Sequence, residues 1–363
     1  MIHLNQRILF YFGVFSPVGG IEQFAVNLLN GLANLNVKTT LVCSGRPEWM
    51  PKKTQFRLVR VPYIGGSRYH VSDYLLLVLR GLKEARKAST IIFGKHPPAS
   101  VLKILRIGCD RKTKFVFVSP YAPTAPRTQH ERRQLVNSFK NYNLIVVQAE
   151  SFRRTLHEAE IRIPIEILPY PLHQDLYQVP VKKFPPDSPC RIGFLGRLEP
   201  QKDLDLLLAA FGKIQRHDCE LHIYGSGSEH ARLQAKVRQS PFNAKIFFHG
   251  RILREAVAEV ISENHLFAFS SREEGQVLAA LEILACGRPI AAVPSGALPE
   301  LLSDEVFGFC TKFRESGSLA DSITKIIDRI QNGNITPTSI RDGFEERWSQ
   351  SVLLSKYARL LEL

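Results

Sequence analysis

The sequence contains no Cys-x-x-Cys pair: its six cysteines, Cys43, Cys109, Cys190, Cys219, Cys286 and Cys310, stand singly along 363 residues. That spacing argues against a disulfide framework and a zinc site, and it fits a reducing compartment. No apolar run approaches the roughly 18 residues needed to cross a bilayer. The opening run "ILFYFGVF" is eight residues long, follows the single Arg7 and leads into "SPVGG" without a cleavage-like site, so it reads as a buried strand. Internal repeats and low-complexity stretches are also missing, which excludes a solenoid and a long disordered arm.

What remains is an ordinary globular composition, 44% hydrophobic and 23% charged, at a length that suggests two domains. The formal charge of +14 is unevenly placed. Residues 1–180 hold 25 Lys and Arg against 11 Asp and Glu, and the rest hold 23 against 23. The whole excess therefore belongs to the first half. A basic half without an RNA motif or an aromatic stacking platform points away from nucleic acid and toward another anionic partner.

Both halves have the grammar of alternating strands and helices. In the first, "RILFYFGV", "KTTLVCS", "TIIFG", "KFVFVS" and "NLIVVQ" are strand-like runs. "IEQFAVNLLNGLANL" places Ile21, Phe24, Ala25, Leu28, Leu29 and Leu32 at helical spacing. After the proline-rich "YPLHQDLYQVPVKKFPPDSPC" the pattern restarts with "CRIGFLG", "CELHIYG", "KIFFHG", "LFAFSS" and "PIAAVPS". The expected fold is α/β, two doubly wound Rossmann-like domains with a cleft for ligand. Residues 1–175 form the first domain, 176–189 the linker and 190–345 the second domain, with a C-terminal helix in 346–363 packing back toward the first.

Chemistry gathers at three strand ends of the second half. "GRLEPQK" sets Arg197 and Lys202 between a strand and a helix, where a guanidinium fork and an ammonium can clamp a diphosphate. "YGSGS" offers Gly225 and Gly227, whose missing side chains allow close approach to a ligand. "EEGQVLAALEILACGRP" sets Glu274 before a helix expected to start just after Gly275, Glu282 near two turns into it, and Gly287 with Pro289 as its stop. An acidic residue at a helix start commonly does no more than complement the dipole. Only its partners elsewhere in the chain give Glu274 another meaning.

Taken together and in order, "GGIEQFAVNLLNGLA", "GFLGRLEPQKDLDLLLAAF", "IYGSGSEHARL", "FFHGRI" and "EEGQVLAALEILACGRPIAAVPSGALPELL" resemble the retaining nucleotide-sugar glycosyltransferases of family four, which have the GT-B fold. The resemblance is strongest after residue 190 and diffuse between about 45 and 180. It implies transfer of a sugar from a nucleoside-diphosphate sugar to a hydroxyl of a glycan or lipid-linked acceptor, in cell-envelope polysaccharide or glycolipid synthesis. A silent nucleotide-sugar-binding protein is the alternative. Catalytic roles fall on Arg197 and Lys202 at the diphosphate and on Glu274 at the sugar hydroxyls. Donor-binding roles fall on Gly19, Gly20, Gly196, Gly225, Ile252, Gly275, Gln276, Val277, Leu278 and Glu282, the last at the ribose. No cofactor and no metal are expected, since cations and helix N–H groups already face the leaving group.

Family members commonly carry a histidine after the strand that here reads "FVFVSPYAP", where Ser119 or Pro120 now stands. Either the imidazole is dispensed with, or Tyr121 or His96 substitutes on the acceptor side. "EGQV" replaces the usual Glu-Gly-Phe-Gly, and "YPLHQD" a common Asn-Gly-Val-Asp-like turn. The expected location is the cytoplasm, at the inner face of an anionic membrane. Lys52, Lys53, Arg57, Arg60 and Arg68 would meet that membrane, with Leu75 to Leu79, Arg80, Lys83, Arg86 and Lys87 of a neighbouring helix.

Overall fold

The run "RILFYFGV" carries apolar side chains on both faces of a strand, so it needs cover on both sides, and it becomes β1 (Arg7–Val14), an interior strand of a parallel sheet. The computed structural model describes residues 6–14, 20–45, 54–61, 71–97, 99–119, 126, 128–172, 179–180, 188–214, 218–275 and 277–363. Two compact units divide the chain, one of residues 1–171 with 350–363 and one of 172–349.

In the first unit β1 is followed by α1 (Gly20–Asn34), β2 (Lys38–Ser44), β3 (Arg57–Val61), α2 (Val71–Ala85), β4 (Thr90–Phe93) and α3 (Ala99–Gly108). Then come β5 (Lys114–Val118), α4 (Gln129–Phe139), β6 (Leu144–Val147), α5 (Glu150–Glu158) and β7 (Ile165–Ile167). The strands form one seven-stranded parallel sheet in the order β3-β2-β1-β4-β5-β6-β7. Helix α13 (Gln350–Leu360) completes this unit. Its Leu354 lies against Gly31 of α1, the Tyr357 ring is 5.9 Å from that of Phe24, and the Tyr357 hydroxyl donates to the Leu168 carbonyl at 3.4 Å.

The second unit runs β8 (Cys190–Leu195), α6 (Leu204–Phe211), β9 (Cys219–Tyr224), α7 (His230–Arg238), β10 (Ile246–Gly250) and α8 (Val257–Ser262). It continues with β11 (Leu266–Phe269), α9 (Leu278–Ala285), β12 (Ile290–Ala292), α10 (Leu298–Leu301), β13 (Gly308–Cys310), α11 (Ser316–Gln331) and α12 (Pro337–Trp348). Its parallel sheet has the order β10-β9-β8-β11-β12-β13. Alternation within the strands divides the core in two. Leu266 and Ala268 join Ile192, Phe194 and Ala291 on one face under α6 and α11, whereas Phe267 and Phe269 join Ile290 and Ala292 on the other under α8, α9 and α12. Both faces are covered, as the unbroken apolar strands require. Because every strand is parallel, all carboxyl ends of a sheet open on one edge, and that edge of the second sheet collects the loops that carry Arg197, Lys202 and Glu274.

Three strands were not foreseen: β3, β7 and β13. All three lie at sheet edges, where strands are short and carry charge such as Arg57, Arg60 and Glu166.

Candidate active site

Between β8 and α6 the chain makes a 3-10 turn, Pro200–Lys202, and then places Asp203 at φ 45°. That left-handed residue is unusual for a side chain with a Cβ, and its carboxylate is fully employed. Asp203 accepts from Arg314 and lies 3.2 Å from the Arg272 guanidinium, while Arg314 also donates to the Ser270 carbonyl at 3.2 Å. The Ser270 hydroxyl donates to the Lys202 carbonyl at 2.9 Å, and the Arg272 N–H to the Gln201 carbonyl at 2.8 Å. The turn that carries Lys202 is thereby tied to the loop after β11.

That loop carries Glu274. Its Oε1 accepts from the Lys202 ammonium and from the Ser271 hydroxyl, each at 2.5 Å, and the residue is 7% exposed. A buried carboxylate with an ammonium and a hydroxyl on one oxygen is held as an oriented anion. The pair found 72 residues apart in sequence is in direct contact. Arg197 is exposed in the segment between β8 and the turn that carries Lys202, with no ion-pair partner among the described residues.

The glycines pack backbone against backbone. A Cβ on Gly225, at φ 147°, would lie 1.8 Å from the Gly196 carbonyl oxygen, and its N–H donates to the Gly250 carbonyl at 2.7 Å. The close approach expected toward a ligand is thus made to a neighbouring strand end. Gly296, which the sequence reading passed over, has φ 55°, and a Cβ there would meet the Glu274 carbonyl at 2.4 Å. It fixes the loop from beneath.

Helix α9 starts at Leu278, two residues later than expected, with Val277 as its cap residue and no side-chain cap. Gly287, at φ 76°, closes it, and Pro289 follows. Glu282 is buried in α9 and ion-paired with Arg254, which lies in the 3-10 turn Arg254–Ala256 after β10. Burial pushes the Glu282 carboxyl upward, and Arg254 opposes that shift. Val277 is buried, and Ile252 and Leu278 pack on the same apolar cluster as α9. Gly19, Tyr121 and Gln276 lie outside the described residues, and Gly20 opens α1.

On the first sheet, Ser119 follows β5 in a buried position, and its carbonyl accepts from the Tyr170 hydroxyl at 2.8 Å. His96 is enclosed by Phe117, Phe139 and Tyr142, with ring centroids 5.3 to 5.6 Å away, and its Nδ1 is 3.3 Å from the Tyr142 hydroxyl. Burial lowers its pKa. The residue as a whole is half-buried, with its ring packed against these three aromatic rings. Two polar groups escaped the sequence reading: Glu22, 3.5 Å from Lys95, and Gln148, 4% exposed just after β6 with neither amide atom hydrogen-bonded among the described residues. A lone glutamine after an apolar strand gives no periodic signal.

Asp203-Leu204-Asp205 has an Asp-x-Asp spacing that the metal-free expectation overlooked. Asp203 is held as above, and Asp205 pairs with Arg232 at 2.6 Å and Lys236 at 2.5 Å. Four cationic side chains occupy the two carboxylates.

Beside the strand-end loops, one face of β8, β9 and β10 carries a stacked polar ladder. The Tyr224 and His249 rings are 4.4 Å apart, and those of His222 and His249 5.2 Å. His222 Nδ1 is 2.9 Å from His249 Nε2, Glu220 is 3.1 Å from His222 Nε2, and the Arg191 N–H donates to His265 Nδ1 at 3.0 Å.

Comparison with known proteins meets this geometry in the second unit. Residues 179–332 match the family described as Glycosyl transferases group 1. The D-inositol 3-phosphate glycosyltransferase of Mycolicibacterium smegmatis is 29% identical over 175 residues, 47% of this chain and 40% of that one. An uncharacterized glycosyltransferase of Methanocaldococcus jannaschii is 28% identical over 142 residues, 39% and 36% of the two chains. The chain spans less than half the length of these curated relatives. Among solved structures, Anabaena HepE in complex with UDP superposes with a TM-score of 0.79 at 18% identity, covering 98% of this chain and 100% of that one. Sucrose-phosphate synthase from Thermosynechococcus elongatus gives 0.78 at 17%, covering 98% of each. The fold is therefore that of the GT-B glycosyltransferases, and the group 1 match falls on the unit that holds Lys202, Glu274 and Glu282.

Proposed function

We propose that the protein is a retaining, metal-independent glycosyltransferase that moves a sugar from a nucleoside-diphosphate sugar to a hydroxyl of a glycan or lipid-linked acceptor in envelope polysaccharide or glycolipid synthesis. The carrying observation is the Lys202–Glu274–Ser271 contact at one end of α9 with the Glu282–Arg254 pair further along it. Glycosyl transfer develops positive charge on the sugar and negative charge on the departing diphosphate. Lys202, Arg197 and the first N–H groups of α9 supply compensating charge for the second. Glu274, already oriented, accepts from sugar hydroxyls, and Glu282 accepts from the ribose. UDP is the first nucleotide to test, because HepE has been solved with UDP and with UDP-glucose. The leaving diphosphate takes the acceptor proton on the face it departs from, so no protein nucleophile is needed.

Transfer is expected with the donor's anomeric configuration kept in the product, and EDTA should leave the rate unchanged. NMR of the product tests the first. An inverted linkage, or activity lost to EDTA and restored by magnesium, contradicts the proposal. No transfer from any UDP, GDP or ADP sugar, with binding intact, would favour the silent binding protein.

The two carboxylates are expected to separate cleanly. Glu274→Gln should raise the Kd of intact donor far more than that of free nucleoside diphosphate, whereas Glu282→Gln should raise both. Calorimetric titration with each ligand decides; equal losses for Glu274→Gln on both ligands would remove it from the sugar.

The proposal includes reversible attachment of the first unit to an anionic membrane. Among the described residues no helix is long and apolar enough to cross one. Of the expected α2 run, Leu77 and Val78 are buried, while Leu79 is exposed beside Arg80, Lys83, Arg86 and Lys87. The neighbouring α3 adds exposed Lys103, Ile104 and Ile107, and the Arg86 guanidinium donates to the Gly108 carbonyl at its end. Lys52, Lys53 and Arg68 lie outside the described residues, and Arg57 is 3.1 Å from Glu84. Each basic group near an anionic surface contributes about 1 kcal/mol, screened by salt. Co-sedimentation with vesicles containing anionic lipid is expected at low salt and lost at high salt; protein left in the supernatant at low salt overturns the docking.

A further inference from the structure

The group that keeps Glu282 in order is itself unassigned. Glu282 is 7% exposed, and an isolated carboxylate in such surroundings takes up a proton rather than stay charged. Its ion-pair partner is Arg254, half exposed in the turn after β10. The other charged and titratable groups packed about this stretch are turned elsewhere. Arg288 donates to the Ser262 carbonyl at 2.8 Å, and Arg341 on α12 donates to the Val179 carbonyl. Arg347 on α12 pairs with Asp304 at 2.7 Å, and Asp342, Glu345 and Glu346 are exposed or half-exposed. Glu259, the one charged residue of α8, is exposed, and the Cys286 thiol, pushed up to about 12 by burial, stays neutral.

We propose that Arg254 is a positioning residue for the donor nucleotide: it holds Glu282 ionised and turned so that the carboxylate accepts both ribose hydroxyls, and it makes no contact with the nucleotide itself. The inference rests on Glu282 meeting the ribose. A ribose diol offers two O–H donors, and an ionised carboxylate has two oxygens with about four lone-pair sites, enough for both hydroxyls and one guanidinium N–H. A protonated carboxyl offers a donor where the diol needs an acceptor. One charge, placed where only Glu282 feels it fully, therefore decides whether the ribose is recognised.

The test is calorimetric titration of the intact protein with UDP, ADP and GDP, which share the diol, between pH 5.5 and 8.5. Wild type is compared with Arg254→Met, Arg254→Lys, Glu282→Gln and the double variant Arg254→Met/Glu282→Gln, each checked by thermal melting. Every Kd is expressed relative to wild type at the same pH, so that ionisation of the nucleotide cancels. Arg254→Met is expected to weaken binding about tenfold or more at pH 6, and the deficit should shrink as the pH rises and Glu282 loses its proton. Arg254→Lys should restore most of the affinity. The double variant should bind no worse than Glu282→Gln alone.

A deficit in Arg254→Met that is the same at every pH, or a double variant weaker than Glu282→Gln by the full Arg254→Met factor, means that Arg254 acts on the nucleotide or the fold directly and overturns the inference. So does unchanged affinity in Arg254→Met. If Glu282→Gln binds as wild type does, or if wild type binds none of the three nucleotides, the ribose assignment itself fails and takes the inference with it. That failure is read from variants other than Arg254→Met, so the two are told apart.

Discussion

Replacing Lys202 with alanine is expected to lower turnover about 100-fold or more and, in the same variant, to lower the melting temperature. The first effect follows from removing one preorganised cation from a developing diphosphate, a loss of roughly 3 kcal/mol in the transition state. The second follows from Glu274, which is buried and shares one oxygen between the Lys202 ammonium and the Ser271 hydroxyl. Without the ammonium, a desolvated carboxylate keeps a single hydroxyl partner. Arg197→Ala should cost a comparable factor in turnover but leave stability unchanged, because Arg197 is exposed and unpaired among the described residues. Steady-state rates with saturating donor and thermal melts of both variants separate the two roles. Turnover near wild type in either, with donor binding unchanged, would remove the diphosphate clamp.

The second unit is expected to lose stability as the pH falls from about 6.5 toward 4, well before ordinary acid unfolding. His222 and His265 are both pushed down to about 4, by burial first and then by Arg191 for His222 and by Arg288 and Arg191 for His265. His249 shifts in the same direction, again chiefly by burial. In the unfolded chain these imidazoles titrate near 6.5. Between the two values the unfolded chain binds more protons, so each step down in pH favours unfolding. The stabilisation is complete above about 6.5 and is lost as the pH falls through this window toward 4. Glu282, raised by burial, works in the opposite sense and trims the effect. Urea unfolding at pH 7.5, 6 and 5 reads it, with His222→Gln expected to flatten part of the slope. A midpoint that does not move between pH 7.5 and 5 in wild type would show that the ladder is not held neutral.

The elements near the candidate site were legible because several local signals agree there. Strand β8 is apolar on both faces, a turn follows with a proline at its first position, and α9 is bounded by Gly287 and Pro289. Lys202 and Glu274 were each visible from their strand ends, though their contact was not, since pairing across 72 residues leaves no periodic trace. Arg254 was invisible for a related reason: one arginine among 48 basic residues says nothing until the turn after β10 brings it to Glu282. The same holds for Asp203, whose left-handed conformation cannot be read from a Lys-Asp-Leu sequence. Edge strands such as β7, only three residues long, lie below what alternation can reveal. The resemblance added the assignment of roles, which spacing alone left open, and it did so where the sequence adhered to its landmarks.

Helix α13 places the last turn of the chain on the first fold that the chain begins. Leu354 fills the space beside Gly31, Tyr357 reaches Phe24 and Leu168, and the Gln6 amide donates to the Glu362 carbonyl at 2.7 Å. A ribosome making this protein releases residues 1–171 long before it adds residue 350. The first sheet must therefore wait, with part of its α1 face bare, while an entire second unit is synthesised and folds as its own core. The second unit lies within one continuous segment, 172–349, and has no such delay. Vectorial synthesis thus delays the unit that holds β1: it cannot be complete until α13 has followed the whole of segment 172–349.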